Sequence, residues 1–399
     1  MAIKVFTSLQ QGAPAINGVA GSLVTALDAI LVNGYGQVSV SSIARVSTTA
    51  TVTTATAHGF STGDVALIAG AVETDYNGEF VVTVTGATSF TYDVLGTPVT
   101  PATGTITSKR APAGFSKPFA GTNMAVYRAN ALDSRRHYFQ IVDDGTTAGG
   151  AREARLHGYE TMSDVSTGTG MYPSTGQYPN GFFCQKSDTA DATARGWVVI
   201  TDGKTVYHFA YLSALVSSGD LSSPGNNMNA FGFGDALEFK PGDAFLSWVS
   251  GSSSTNQFSS TQYCGLFSAA QSITNGTPSQ FAALIVTARD FTAVPGPRPT
   301  QLFASGLNSS MGGTVNISYP HRIDNGFYMV PALLVQGSPA LIRGRMPGYY
   351  EPLHGPSFPN TQIIENVTGF AGRKFMMLWG KNSSSVGAVV VDITGPWDS

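Results

Sequence analysis

Four carboxylates fall close together in the middle of the chain: Asp143, Asp144, Glu160 and Asp164. Two carboxylates held ~5–10 Å apart can cleave a glycosidic bond, one as acid and the other as base or nucleophile. A calcium site would need about six oxygen ligands, and no D-x-D-x-D-G loop accompanies these acids. The plainer expectation is a set of acids at turns and strand ends. The six histidines, His58, His137, His157, His208, His321 and His354, form no H-x-x-x-H or H-E-x-x-H pair. No G-x-S-x-G elbow, P-loop or dinucleotide fingerprint occurs. The stretch Phe231-Gly232-Phe233-Gly234-Asp235 is glycine-rich but opens no helix, so it reads as a β turn with close backbone approach. Cys184 and Cys264 have no zinc spacing and are too few for a disulfide framework; they are expected as buried thiols. The residue types therefore point to no catalytic centre, cofactor or metal.

Binding chemistry is easier to find. Arg343-Gly344-Arg345 precedes Met346-Pro347-Gly348 and then Tyr349-Tyr350. Read as a tip, this segment offers two guanidiniums for bidentate bonds to a partner carboxylate, beside residues enriched at interface centres. The alternative is that the arginines pair within their own fold. Tyr172, Tyr178, Phe182 and Phe183 form either an exposed face for stacking sugars or a packed corner. Arg135-Arg136-His137 is the strongest positive spot, expected at a solvated turn or against Asp143 and Asp144. With a net charge of −3 and no basic run, a surface tracking phosphates is not expected.

The elements that would position these groups are mostly strands. Only 12% of residues are charged, about half the usual share, and glycine is frequent at 46. The 23 Phe, 15 Tyr and 4 Trp give ample apolar mass to bury. One helix stands out in Pro14 to Gly36: Leu23, Ala26, Leu27, Ile30 and Leu31 recur at helical spacing. Ser22 is placed to cap its start, and Gly34 to end it in a left-handed turn. The apolar stripe must cover something, either the β body or a neighbouring subunit, so Leu23, Leu27 and Ile30 are candidate contact residues alongside Arg343, Arg345, Tyr349 and Tyr350. The N-terminal residues lack a signal-peptide core, and no apolar run approaches the ~20 residues that span a bilayer.

Between Ala44 and Arg110 the texture changes to Thr, Val and Gly. About five strands are expected there, with Asn77-Gly78 as a hairpin turn. The predicted fold is mainly β: a discontinuous, sandwich-like body of residues 1–43 and 111–399 with one N-terminal helix, and an inserted small β-barrel module at 44–110. A subdivision of the body falls near the Pro-rich stretch 294–300.

Two resemblances sharpen this. The run HGFSTGDVALIAG, TDYNGEFVVTVTGATSFTYDV and TPATGTI resembles a small β module of tailed-phage tail proteins, similar to the first-catalytic-cysteine-half-domain fold. It brings no catalytic residue. GAPAINGVAGSLVTALDAILVNGYG, APAGFSKPFAGTNMAVYR, HGYETMSDVSTGTGMYP and LIRGRMPGYYEPLH resemble an uncharacterised family of tailed-phage virion structural proteins. The resemblance implies a non-enzymatic particle component, assembled in the host cytoplasm through contacts with other virion proteins and copies of itself. Tail or baseplate is the first placement. A neck or head-surface component and a module binding host-surface glycan are the alternatives. Neither nucleic acid nor membrane is an expected partner.

Overall fold

The computed structural model describes residues 2–147, 149–213, 221–222, 228–252, 265–267, 284–293, 297–303, 319–336, 341–354, 358–382 and 385–397. Cys264, residues 294–296 of the Pro-rich stretch and residues 315–318 of an expected strand lie outside these. The fold is mainly β, with several antiparallel sheets and one short helical segment.

Among the described residues the largest sheet has 13 strands, twelve on one path and Leu237–Glu238 off it against Leu341–Pro352. It runs from Lys4–Thr7 through Trp197–Thr201, Thr205–Tyr211, Met228–Asp235, Ser247–Ser250, Ile285–Thr287, Arg298–Phe303, Met329–Gln336, Leu341–Pro352, Ser385–Asp392 and Phe375–Asn382 to Ile363–Ile364. Met228 also pairs with Lys381, so a late strand returns to an early one and the sheet curls on itself. Strand Trp197–Thr201 shows why both faces must be covered. Side chains alternate across a strand, yet WVVIT is buried at every position. Trp197 and Val199 enter one core, and Val198 and Ile200 the other.

The first core is a sandwich. A five-stranded sheet, ordered Phe182–Gln185, Glu153–Tyr159, Tyr138–Val142, Met124–Ala129 and Phe115–Gly121, lies over the large one. Phe139 stacks on Phe233 at 4.8 Å between ring centres. The second core fills the inside of the curl, where Tyr207 meets Trp248, Tyr349 and Trp397.

The helical segment is α over Ser22–Leu27 and continues as a wider π turn over Asp28–Asn33. Its apolar stripe is in the sandwich core. The expected caps are different in kind. Ser22 is the first helical residue, following Gly21 at φ +82°, and the Leu23 amide is capped by Asp143, 120 positions away in the chain. Gly34 has φ +72° and ψ 170°, not a left-handed helical turn. A Cβ there would lie 2.3 Å from the Arg110 carbonyl oxygen, so close approach of the chain leaving the module requires the glycine. The carbonyls of Ile30 and Leu31 accept from the amides of Ala113 and Gly114. Residues after the module thus finish a helix that precedes it.

The module is a seven-stranded sheet ordered Gly78–Val81, Val65–Ala71, Gly104–Arg110, Tyr35–Val46, Thr49–Thr54, Ser89–Asp93 and Thr83–Gly86. It closes around its own core of Ile43, Val52, Phe60, Ile68, Tyr76, Phe90, Tyr92 and Ile106. The position expected for its start, residue 44, falls inside strand Tyr35–Val46. Asn77-Gly78 is not a two-residue hairpin turn: a 3-10 turn at Thr74–Tyr76 intervenes, and the Asn77 carboxamide bonds the Ala71 amide and carbonyl at 3.0 and 2.7 Å.

Candidate functional site

Three of the four acids singled out by sequence each have a separate cation. Asp144 pairs with Arg155 at 2.8 Å, Glu160 accepts from Arg289 Nε at 2.6 Å, and Asp143 lies 2.7 Å from Lys186 Nζ. Asp164 is exposed and accepts from the Ser166 amide. Arg135 does not turn to Asp143 or Asp144: its amide donates to Asp235, and its guanidinium to Glu238 and the Asp243 carbonyl. Among the described residues no cluster of three or more His, Cys, Asp or Glu is placed to hold a metal.

The histidines are built into packing. His58 accepts from the Phe60 amide at 2.9 Å and reaches the Gly86 carbonyl at 3.0 Å, holding the module's turn. His137 contacts the Tyr172 hydroxyl at 2.9 Å, and His208 stacks on Phe231 at 4.2 Å. Burial pushes His137 and His157 down to about 4 and His208 down to about 3. All three are therefore neutral near pH 7, because desolvation penalises the imidazolium.

Lys186 and Asp143 form the least ordinary polar pair. Both side chains are fully buried. Lys186 Nζ donates to the Val19 carbonyl at 2.6 Å, Ser22 Oγ at 2.9 Å and Asp143 Oδ2 at 2.9 Å. Burial pushes the carboxyl up and the amine down, while their mutual attraction opposes both shifts. Cys184, two residues before Lys186, is also fully buried, and burial pushes its thiol well up.

The candidate contact residues are turned inward. Leu23, Leu27 and Ile30 are 0% exposed in the sandwich core, so they offer no surface to a neighbour in this conformation. Arg343-Gly344-Arg345 is no tip; it lies within strand Leu341–Pro352, between Met329–Gln336 and the short strand Leu237–Glu238, while Ser385–Asp392 pairs further on at Tyr349 and Tyr350. Pro347-Gly348 is absorbed by a register shift against Met329–Gln336, and a Cβ on Gly348 would strike the Trp397 ring. Arg343 grips Asp243 in two bonds of 2.8 and 3.0 Å and also donates to the Arg289 carbonyl. Tyr349 is buried, with its hydroxyl donating to the Leu266 carbonyl; Tyr350 and Arg345 are half-buried. Tyr172, Phe182 and Phe183 are buried and Tyr178 half-buried, which makes them the packed corner and not an exposed stacking face.

The surface free for contact lies elsewhere. At the module's base, a cleft of about 630 Å³ is lined by Lys4, Phe6, Leu9, Asp64, Arg110 and Ile363 among others. Lys4 of the body binds Glu79 of the module at 2.6 Å, while Arg110 binds Asp64 at 2.6 Å within the module. The free edge of strand Lys4–Thr7 faces this cleft. There the Gln10 carboxamide accepts from the Thr7 amide and donates to the Val5 carbonyl, both at 3.1 Å, blunting the edge as a neighbouring strand would.

The opposite end of the module is apolar and exposed. Val46, Val72, Leu95 and Val99 are 81%, 70%, 87% and 71% exposed. Local bonds gather them: the Val94 amide donates to the Thr48 carbonyl, Arg45 Nε to the Pro98 carbonyl, Tyr76 to the Val99 carbonyl, and the Val72 amide to the Thr103 carbonyl. Strand Tyr35–Val46, 12 residues long, separates this tip from the base by roughly 40 Å at about 3.3 Å per residue. Sequence reading passed over these four. The available signal was large apolar residues beside Ser47-Thr48 and Gly96-Thr97-Pro98, where turns are ordinarily polar.

No protein-family model matches the chain, and no curated protein matches it. Among solved structures, the Phage phi92 endosialidase matches with a TM-score of 0.14 and 12% identity, over 89% of this chain and 51% of that one. The chain thus spans about half the length of that structure. A superposition so loose carries no argument about shared fold or activity. No helix among the described residues is long and apolar enough to cross a membrane.

Proposed function

We propose that the chain is a structural subunit of a tailed-phage virion, placed first in the tail or baseplate, that works by burying surface against copies of itself and other particle proteins. The observation that carries this reading is the apolar tip. Four large, exposed aliphatic side chains lie at the far end of a module tied to the body by the Lys4–Glu79 ion pair. Isolated exposed apolar residues are common, but grouped ones mark contact sites. A chain with only 12% charged residues also has little charge for keeping a crowded monomer soluble. The resemblance of residues 12–36, 111–128, 157–173 and 341–354 to virion structural proteins supports the same reading.

The test is to image whole particles and to size the purified chain by light scattering. The reading expects the chain in the particle with the tip covered, and self-association in solution. A stable monomer absent from particles would overturn it.

A further inference from the structure

The Asp143–Lys186 ion pair is sealed from water, with the amine held against both carboxylate oxygens. We propose that Lys186 and Asp143 form an intramolecular amide cross-link, joining the ends of two strands of the five-stranded sheet.

Nζ lies 2.7 Å from Oδ1 and 2.9 Å from Oδ2, with both side chains at 0% exposure. The two oxygens have different surroundings. Oδ2 accepts the Leu23 amide at 2.9 Å. Oδ1 receives no hydrogen bond from any other described residue. One oxygen is therefore held as a future amide carbonyl, and the other is free to depart.

The step balances without an oxidant or co-reactant. A proton passes from the ammonium to Oδ1, giving a neutral amine and a carboxylic acid. The Nζ lone pair attacks Cγ, and Oδ2 takes up the negative charge beside the Leu23 N–H. A second proton moves from Nζ to Oδ1. The Cγ–Oδ1 bond then breaks, its electron pair leaves with the oxygen as water, and the Cγ=Oδ2 bond re-forms. The remaining Nζ–H keeps the Val19 carbonyl as acceptor, and the amide oxygen keeps the Leu23 N–H. Condensation removes two charges from a site where each is costly to bury, which favours amide and water over the ion pair. The same desolvation shifts both groups towards the neutral forms that the attack needs.

The test is the intact mass of the denatured full-length chain, followed by peptide mapping. The expected result is a deficit of one water, with a branched peptide joining Lys186 to Asp143, and the full mass restored in Lys186→Arg. Full mass in protein recovered folded, with Lys186 acetylated freely once unfolded, overturns the proposal. A water deficit that maps to a succinimide at Asp144-Gly145 overturns it equally. If Lys186→Arg does not fold, the wild-type mass and map decide alone.

Discussion

The body and the module are both antiparallel β, but they hold together differently. Module strands alternate plainly: Thr49–Thr54 reads exposed then buried along its length, with Thr49, Thr51 and Thr53 outside and Ala50, Val52 and Thr54 inside. Body strands such as Thr205–Tyr211 and Met228–Asp235 are buried at every position. Polar groups inside the body must therefore find partners across long stretches of chain. Lys186 reaches Val19 and Asp143, Arg135 reaches Asp235 and Asp243, and Arg343 reaches Asp243. The module needs few such locks, since its strands turn one face to solvent, where polar side chains are hydrated. A few specific pairs should thus dominate body stability, and summed apolar burial that of the module.

The largest effect expected is at the Lys186–Asp143 pair. Lys186→Met leaves a buried carboxyl without its cation, or without its cross-link, and should cost up to about 5 kcal/mol. The tryptophans, Trp197, Trp248, Trp379 and Trp397, all lie outside the module, so urea denaturation followed by tryptophan fluorescence reads the body alone. An unchanged midpoint would show that long-range pairs do not carry the body. The matching change in the module is Phe90→Ala. Phe90 packs edge-on against Phe60 at 5.3 Å and His58 at 5.2 Å. Its loss should cost about 3 kcal/mol, seen as faster amide exchange in residues 49–54 and 89–93, with tryptophan fluorescence moving less. Equal losses by both probes would mean the two regions unfold as one unit.

This contrast also explains what was legible in the residues. Strands with an aliphatic or aromatic run, such as Trp197–Thr201 and Thr205–Tyr211, are legible in the residues close to their observed limits. The one strand suggested by the run from Glu79 to Thr85, by contrast, is divided at Val82 into Gly78–Val81 and Thr83–Gly86, at opposite ends of the module's sheet. Phe115–Gly121 and Leu341–Pro352 are not legible, because Pro118, Gly344, Pro347 and Gly348 punctuate them as loops would be punctuated. Only tertiary packing, such as Trp397 over Gly348, explains a glycine there. The helix stripe was readable from spacing, but its cap was not: Asp143 is too remote for any local pattern. Phe231–Asp235 was read correctly for close backbone approach and wrongly as a turn. Gly232 lies inside a strand, where a Cβ would meet the Val206 carbonyl at 2.5 Å. That Leu23, Leu27, Ile30 and Tyr349, read as candidates for contact, are buried in the fold was not legible for a related reason. Apolar periodicity reports burial without saying in which chain, and Arg-Tyr composition is the same in a core strand as at an interface.

A smaller effect separates the regions by pH. His137, His157 and His208 belong to the body, and burial depresses all three. Between pH 6.5 and about 4, the unfolded chain binds protons that these imidazoles refuse when folded. Stability should therefore rise with pH across that window and be lost as pH falls. Asp202, raised by burial, acts in the opposite sense at the acid end, but one carboxyl opposes three imidazoles. A net loss of about 2 kcal/mol from pH 6.5 to 4.5 is expected in tryptophan-detected urea midpoints. His208→Phe, which keeps the stack on Phe231, should flatten the slope. A pH-independent midpoint in the wild type would place the histidines in less buried surroundings than the structure shows.

The smallest stability effect should accompany the largest change in association. Leu95→Asp and Val46→Asp alter exposed side chains outside any core, so each should shift folding stability by less than about 0.5 kcal/mol. If the tip is a contact surface, the same changes place carboxylates in an interface that must shed water, a cost of several kcal/mol per unpaired charge. Light scattering should then show the double variant remaining monomeric at concentrations where the wild type assembles, while both unfold at the same urea concentration. Leu132→Asp, an equally exposed leucine in the body (90%), serves as the control. Loss of assembly in the control but not at the tip would move the contact surface to the body and reverse the division of labour between the two regions.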